Sequence, residues 1–156
     1  MFQLNKIIKN TIKKKIYSNY SLIIGLTPSK GARSPKLWNK VYKKNNYNCK
    51  MYPADTSQNN LKRLLNYLKA DKDFVGGAVT APYKTKIIKY LDKIDINAKK
   101  VGSINIILKK KNKLIGFNTD YYGALSTIKK IGKKQNILIL GAGGASKAVV
   151  LALTKK

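Results

Sequence analysis

Thr80 and Lys84 lie four residues apart in Gly76-Gly77-Ala78-Val79-Thr80-Ala81-Pro82-Tyr83-Lys84, and Pro82 restricts the backbone between them. The run reads as a short buried strand that turns at the proline and presents a lysine at the mouth of a cleft. Histidine is absent and Cys49 is the single cysteine, which excludes histidine triads, histidine-ligated zinc and paired-thiol chemistry. No metal site is expected. Acid–base work must therefore fall to lysine, aspartate or tyrosine. An ammonium can donate a proton, and a neighbouring carboxylate favours its charged form. All six acids are aspartate, and Asp120 ends the run Gly116-Phe117-Asn118-Thr119-Asp120 at an expected strand end. Asn105, in Gly102-Ser103-Ile104-Asn105, adds an amide. Taken singly, each has a plainer reading: Lys84 as a solvated surface lysine, Asp120 as a helix cap, Thr80 and Asn105 as ordinary strand residues.

Gly141-Ala142-Gly143-Gly144-Ala145 follows the apolar run Asn136-Ile137-Leu138-Ile139-Leu140 and precedes an apolar segment of helical character. Glycines between a strand and a helix let a pyrophosphate approach backbone N–H groups at the helix N-terminus. A tight turn with no ligand is the competing reading.

These stretches, in this order, resemble the shikimate dehydrogenase family from about Leu22 to the last residue. The matching segments are Ser34-Pro35 after the first strand, Thr80-Ala81-Pro82-Tyr83-Lys84, Gly102-Ser103-Ile104-Asn105, Asn118-Thr119-Asp120 and Gly141 to Ala145. The resemblance implies an enzyme that reduces 3-dehydroshikimate to shikimate with NADP as cofactor. It implies Lys84 as the catalytic acid–base residue with Asp120 as its partner. Ser34 is implied at the substrate carboxylate, and Thr80, Asn105 and Asp120 at other substrate oxygens. Gly141, Ala142, Gly143, Gly144 and Ala145 are implied at the cofactor pyrophosphate. Two positions depart from the family pattern: Ala32 stands where the loop has its first serine, and Ala78 where the strand has an asparagine. Arg33 beside Ala32 offers a compensating charge. The alternatives are a non-catalytic remnant that binds a small carboxylate, or a lysine-rich nucleic-acid-binding protein.

Positioning these residues calls for strands alternating with helices, hence an α/β fold. The expected architecture is a three-layer α/β/α substrate-binding domain with a mostly parallel sheet, followed by the first βα unit of a Rossmann-like domain. Expected strands are 21–26, 49–54, 74–79, a 103–108/114–117 hairpin, and 136–140. Ser34 is expected to cap a helix with Pro35 at its first position, whose face is Leu37, Trp38, Val41 and Tyr42. Asp55 or Ser57 is expected to cap the helix carrying Leu61, Leu64, Leu65 and Leu68, and Gly132 to stop a connecting helix from 121 to 131. Residues 1–18 read as a ragged basic extension, 19–120 as the substrate domain, and 121–156 as a linker helix and the truncated start of the dinucleotide domain. A homodimer or a second chain is the expected means of completing that domain.

The net charge of +27 invites a nucleic-acid reading, but only Arg33 and Arg63 among the 33 basic residues are arginines, the side chain that forks onto bases. The abundance of lysine, asparagine, isoleucine and tyrosine reads instead as coding bias in an AT-rich genome. No specific nucleic-acid partner, no membrane span and a cytoplasmic location are expected.

Overall fold

The computed structural model describes residues 2–13, 17–129 and 136–154. One six-stranded sheet organises the molecule, in the order β2-β1-β3-β5-β6-β4. Its strands are β1 (Asn19–Gly25), β2 (Cys49–Asp55), β3 (Phe74–Val79), β4 (Lys93–Ile94), β5 (Ile106–Lys110) and β6 (Lys113–Phe117). β1 runs parallel to β2 and β3, and β4 parallel to β6, while β5 joins β3 and β6 in antiparallel register. The helices are α1 (Phe2–Asn5), α2 (Ser34–Lys44), α3 (Leu61–Ala70), α4 (Tyr83–Lys86), α5 (Ile96–Val101), α6 (Asp120–Ile128) and α7 (Gly144–Thr154).

Side chains alternate across a strand, so a central strand must be apolar on both faces. In β1, Tyr20, Leu22 and Ile24 enter the main core with Leu61, Leu64, Leu65 and Leu68 of α3. Ser21 and Ile23 face the opposite side, where the Ser21 hydroxyl meets the Tyr42 hydroxyl at 2.9 Å and Ile23 packs with Met51 and Ala78. The three layers are therefore α2, the sheet, and the α1–α3 side. A second apolar cluster joins α6 and α7 through Tyr121, Ile128, Ala148 and Ala152.

Four expectations are corrected. Residues 2–13 are not a ragged extension: Leu4, Ile7, Ile8 and Ile12 are buried in the main core. Asn10 ties this segment to β2, donating to the Pro53 carbonyl at 3.0 Å and accepting the Asp55 N–H at 2.7 Å. Residues 136–140 form no strand, and Leu138 and Leu140 are 83% and 87% exposed. An isolated apolar run has no ladder to join, because among the described residues no strand lies beside it. The α2 face is not a core face either, since Leu37 is 60% exposed and no α2 residue is fully buried. Polar anchors hold α2 instead: Asn39 donates to the Met51 carbonyl at 3.1 Å and accepts the Met51 N–H at 2.7 Å. Finally, Ser34 is the first residue of α2 and caps nothing, and neither Asp55 nor Ser57 caps α3, whose N-cap position is Asn60. Gly132 lies outside the described residues. No helix among the described residues is long and apolar enough to cross a membrane.

Candidate functional site

Parallel strands collect their functional loops at the C-terminal edge of the sheet. β1 ends there at Gly25, β3 at Val79, and their loops are drawn together by backbone bonds from Thr80 N–H to the Ile24 carbonyl and from Leu26 N–H to the Ala81 carbonyl. A Cβ on Gly25 would collide with the Thr80 methyl, so glycine is what lets the two loops meet. Tyr83, fully buried, anchors the turn by donating its hydroxyl to the Thr56 carbonyl at 2.6 Å. The next residue, Lys84, lines the cleft at this edge.

The Lys84 Nζ donates to Asp120 Oδ2 at 2.5 Å, with 23% and 32% of the two side chains exposed. Asn105 Nδ2 donates to the other Asp120 oxygen, Oδ1, at 2.7 Å and to Thr119 Oγ1 at 2.9 Å. Its Oδ1 accepts the Thr119 N–H at 2.8 Å. Both Asn105 amide hydrogens are thus committed, and only a carbonyl lone pair remains for a ligand. The chemistry of the group is that of an ammonium held at a fixed point by an oriented carboxylate. It can deliver a proton to an oxygen in the cleft.

Ala142 to Ala145 lies across that cleft. Thr80, Ala81, Pro82, Lys84 and Thr85 on one side, with Ala142, Gly143, Gly144, Ala145 and Lys147 on the other, line a space of about 550 Å³. At Gly144 a Cβ would sit 3.0 Å from Lys84 Cβ and 3.1 Å from Ser103 Cβ, so the turn approaches Lys84 as closely as a bare backbone allows. At Gly143 nothing stands within 4 Å of that position, which leaves the turn open to an incoming phosphate.

The sequence-derived residues fall into two groups. Lys84, Asp120 and Asn105 are bonded together, and Thr80 with the glycine turn shares their cleft. Ser34 stays apart at the start of α2, on the loop after β1 at the same sheet edge, and makes no hydrogen bond to the cluster among the described residues. Asp120 is in the first turn of α6 but is not its cap, for Asn118 Oδ1 accepts the Tyr121 N–H at 3.0 Å. Asn118 and Ser103, not singled out from the sequence as site residues, link the cluster's strand end to the glycine turn. Buried Asn118 donates to the Ser103 carbonyl at 2.9 Å and hydroxyl oxygen at 2.8 Å, and the Ser103 hydroxyl donates to the Gly144 carbonyl at 3.0 Å. Both sit inside motifs singled out above, and the signal was their polarity within otherwise apolar surroundings.

A model of the shikimate dehydrogenase substrate-binding domain matches residues 23–107. The chain belongs to this family. A shikimate dehydrogenase (NADP(+)) from Methanococcus aeolicus is 40% identical over 131 residues, covering 82% of this chain and 47% of that protein. A crystal structure of a shikimate dehydrogenase in complex with NADP+ superimposes with a TM-score of 0.79 at 35% identity, over 94% of this chain and 51% of that one. The Aquifex aeolicus shikimate dehydrogenase gives 0.80 at 33% identity, over 92% and 54%. The chain thus spans about half the length of the shikimate dehydrogenases it matches. The match of residues 23–107 takes in Ser34, Thr80, Lys84 and Asn105, while Asp120 and the glycine turn lie beyond it.

Proposed function

We propose that this chain is the substrate-binding half, with the opening of the cofactor domain, of a shikimate dehydrogenase acting in the cytoplasm. The reaction is the NADPH-dependent reduction of 3-dehydroshikimate to shikimate, on the route to chorismate and the aromatic amino acids. The observation that carries this reading is Lys84, paired with Asp120 and through it with Asn105, lining one cleft with Ala142 to Ala145. As the ring carbonyl gains a C–H bond and its π bond breaks, Lys84 Nζ supplies the proton that closes the alkoxide to a hydroxyl. Asp120 holds the ammonium in line, and Asn105 fixes Asp120. Thr80 and Asp120 take substrate oxygens in the cleft, Asn105 offers its free lone pair, and Ser34 receives the carboxylate.

Gly141 to Ala145 fit the pyrophosphate of NADP, because the turn is open at Gly143 and leads directly into α7. Bound there, NADPH supplies the hydride. A partner surface, from a homodimer copy or a second chain, covers Leu138 and Leu140 beside the glycine turn, a reading supported by their exposure. The alternative is a chain that binds the carboxylate without turning it over.

Following reduced-cofactor absorbance with 3-dehydroshikimate and NADPH tests this directly. Turnover that falls about 10²- to 10⁴-fold in Lys84→Ala supports the enzyme. Shikimate binding without turnover supports the binding-only alternative, and neither binding nor turnover refutes both.

A further inference from the structure

Six carboxylates survive in a chain of net charge +27, and most have an evident task. Asp120 holds Lys84, Asp71 accepts the Tyr20 hydroxyl at 2.6 Å, Asp92 pairs with Lys69 at 2.7 Å, and Asp95 caps α5. Asp55 differs from these. It lies at the end of β2 on the site edge of the sheet, only 6% exposed, and forms no ion pair among the described residues. Its carboxylate is occupied by one residue: Oδ1 accepts the Ser29 N–H at 2.8 Å and Oδ2 accepts the Ser29 hydroxyl. Burying a carboxylate costs several kcal/mol unless hydrogen bonds replace its lost water. Two donors from a single residue do so and fix that residue in place.

Ser29 is the middle of the short 3₁₀ turn Pro28–Lys30, five residues before Ser34. Within the loop, the Gly31 and Ala32 N–H groups both reach the Pro28 carbonyl and close the turn locally, while the Asp55 clamp ties the turn to β2. Gly31 has a φ of +132°, and Arg33 is exposed. Ala32 also packs against Ile23, Met51 and Ala78. The anchor is itself rigid, because the Asp55 backbone is bonded on both sides, its carbonyl accepting Lys9 N–H and its N–H donating to Asn10, each at 2.7 Å.

We infer that Asp55 is a positioning residue: by clamping Ser29 it fixes the 28–34 loop so that Ser34 presents its hydroxyl to the carboxylate of the substrate. The inference rests on the substrate reading above.

Shikimate is titrated calorimetrically into the 156-residue chain and its Asp55→Ala, Asp55→Asn, Ser34→Ala and Asp55→Ala/Ser34→Ala variants, with amide hydrogen exchange of residues 28–34 followed in parallel. Asp55→Ala is expected to weaken binding about tenfold and to accelerate exchange in this loop. Asp55→Asn, which still accepts the Ser29 N–H, is expected to restore most of both. The double variant is expected to bind no more weakly than Ser34→Ala alone. Wild-type affinity in Asp55→Ala, or additive losses in the double variant, would overturn the inference. Should Asp55→Ala not fold, Ser29→Ala carries the test: a loss of about threefold supports the clamp and an unchanged affinity overturns it. If the wild-type chain does not bind shikimate, the substrate reading fails, and the loop exchange alone decides. Faster exchange in Asp55→Ala then upholds the clamp, and unchanged exchange refutes it.

Discussion

Lys84 follows a strand paired on both sides, whereas the glycine turn follows an apolar run that no strand accompanies among the described residues. Both runs carry the same local signal, a short apolar stretch leading into glycine or proline and then a helix. In the first, β3 is fixed by β1 and β5, and Tyr83 is locked beneath the site. In the second, position is set by the α6–α7 cluster, by the Ser103 hydroxyl on the Gly144 carbonyl and by the close approach of Gly144 to Lys84. The contrast shows that strand formation is decided by the neighbouring ladder, while the turn that follows can be placed by its helix alone. It also divides the labour of the cleft, one wall rigid and carrying the proton donor, the other docked against it.

If one wall is the stability core and the other is docked, substitutions should sort accordingly. Leu64→Ala empties fully buried space under β1 and is expected to cost about 2–5 kcal/mol in denaturant unfolding. An equally large loss from Leu138→Ala would break the comparison. Asn118→Ala removes the amide that ties Ser103 to the α6 N-terminus and is expected to cost about 1–3 kcal/mol, with faster exchange in α7 than in β3. Uniform exchange across both regions would argue against a docked wall.

Acid should weaken the rigid side through Asp71. Burial pushes the Asp71 carboxyl up, but the Tyr20 hydroxyl, the Asp73 N–H and Tyr67 together hold it below its ordinary value. The same carboxylate and burial push Tyr67 up to about 12. A depressed carboxylate contributes stability that is present above its unfolded value of about 4 and is lost as pH falls through the folded value. The urea midpoint is therefore expected to drop below about pH 4 in the wild type and to change less in Asp71→Asn. Smallest of all, Leu140→Ser is expected to change stability by under about 0.5 kcal/mol, since its side chain is already exposed.

What was legible in the sequence follows from the same physics. β3 was read at its observed limits, and Leu61, Leu64, Leu65 and Leu68 were read as the buried face of α3, because period and composition agree there. Lys84, Asp120 and Asn105 were found through short motifs, which survive a composition skewed to lysine. The N-terminal segment was not, although Leu4, Ile7 and Ile8 have helical spacing, because interleaved lysines made it read as solvated. The α2 face misled in the opposite sense. Its apolar stripe was real, but Asn39 and Tyr42 hold the helix through polar bonds, which no hydrophobic period reveals. The buried Asp55 was read as a helix cap, since a cap and a loop clamp look alike until the partner is known.

The most direct test of the account is a shikimate titration of the full 156-residue chain, with Lys84→Ala and Asn105→Ala measured beside it and folding checked by circular dichroism. Saturable binding, lost or weakened about tenfold or more in both folded variants, is the expected result. Absence of binding in the wild type, or equal binding in all three, would contradict the assignment of this cleft.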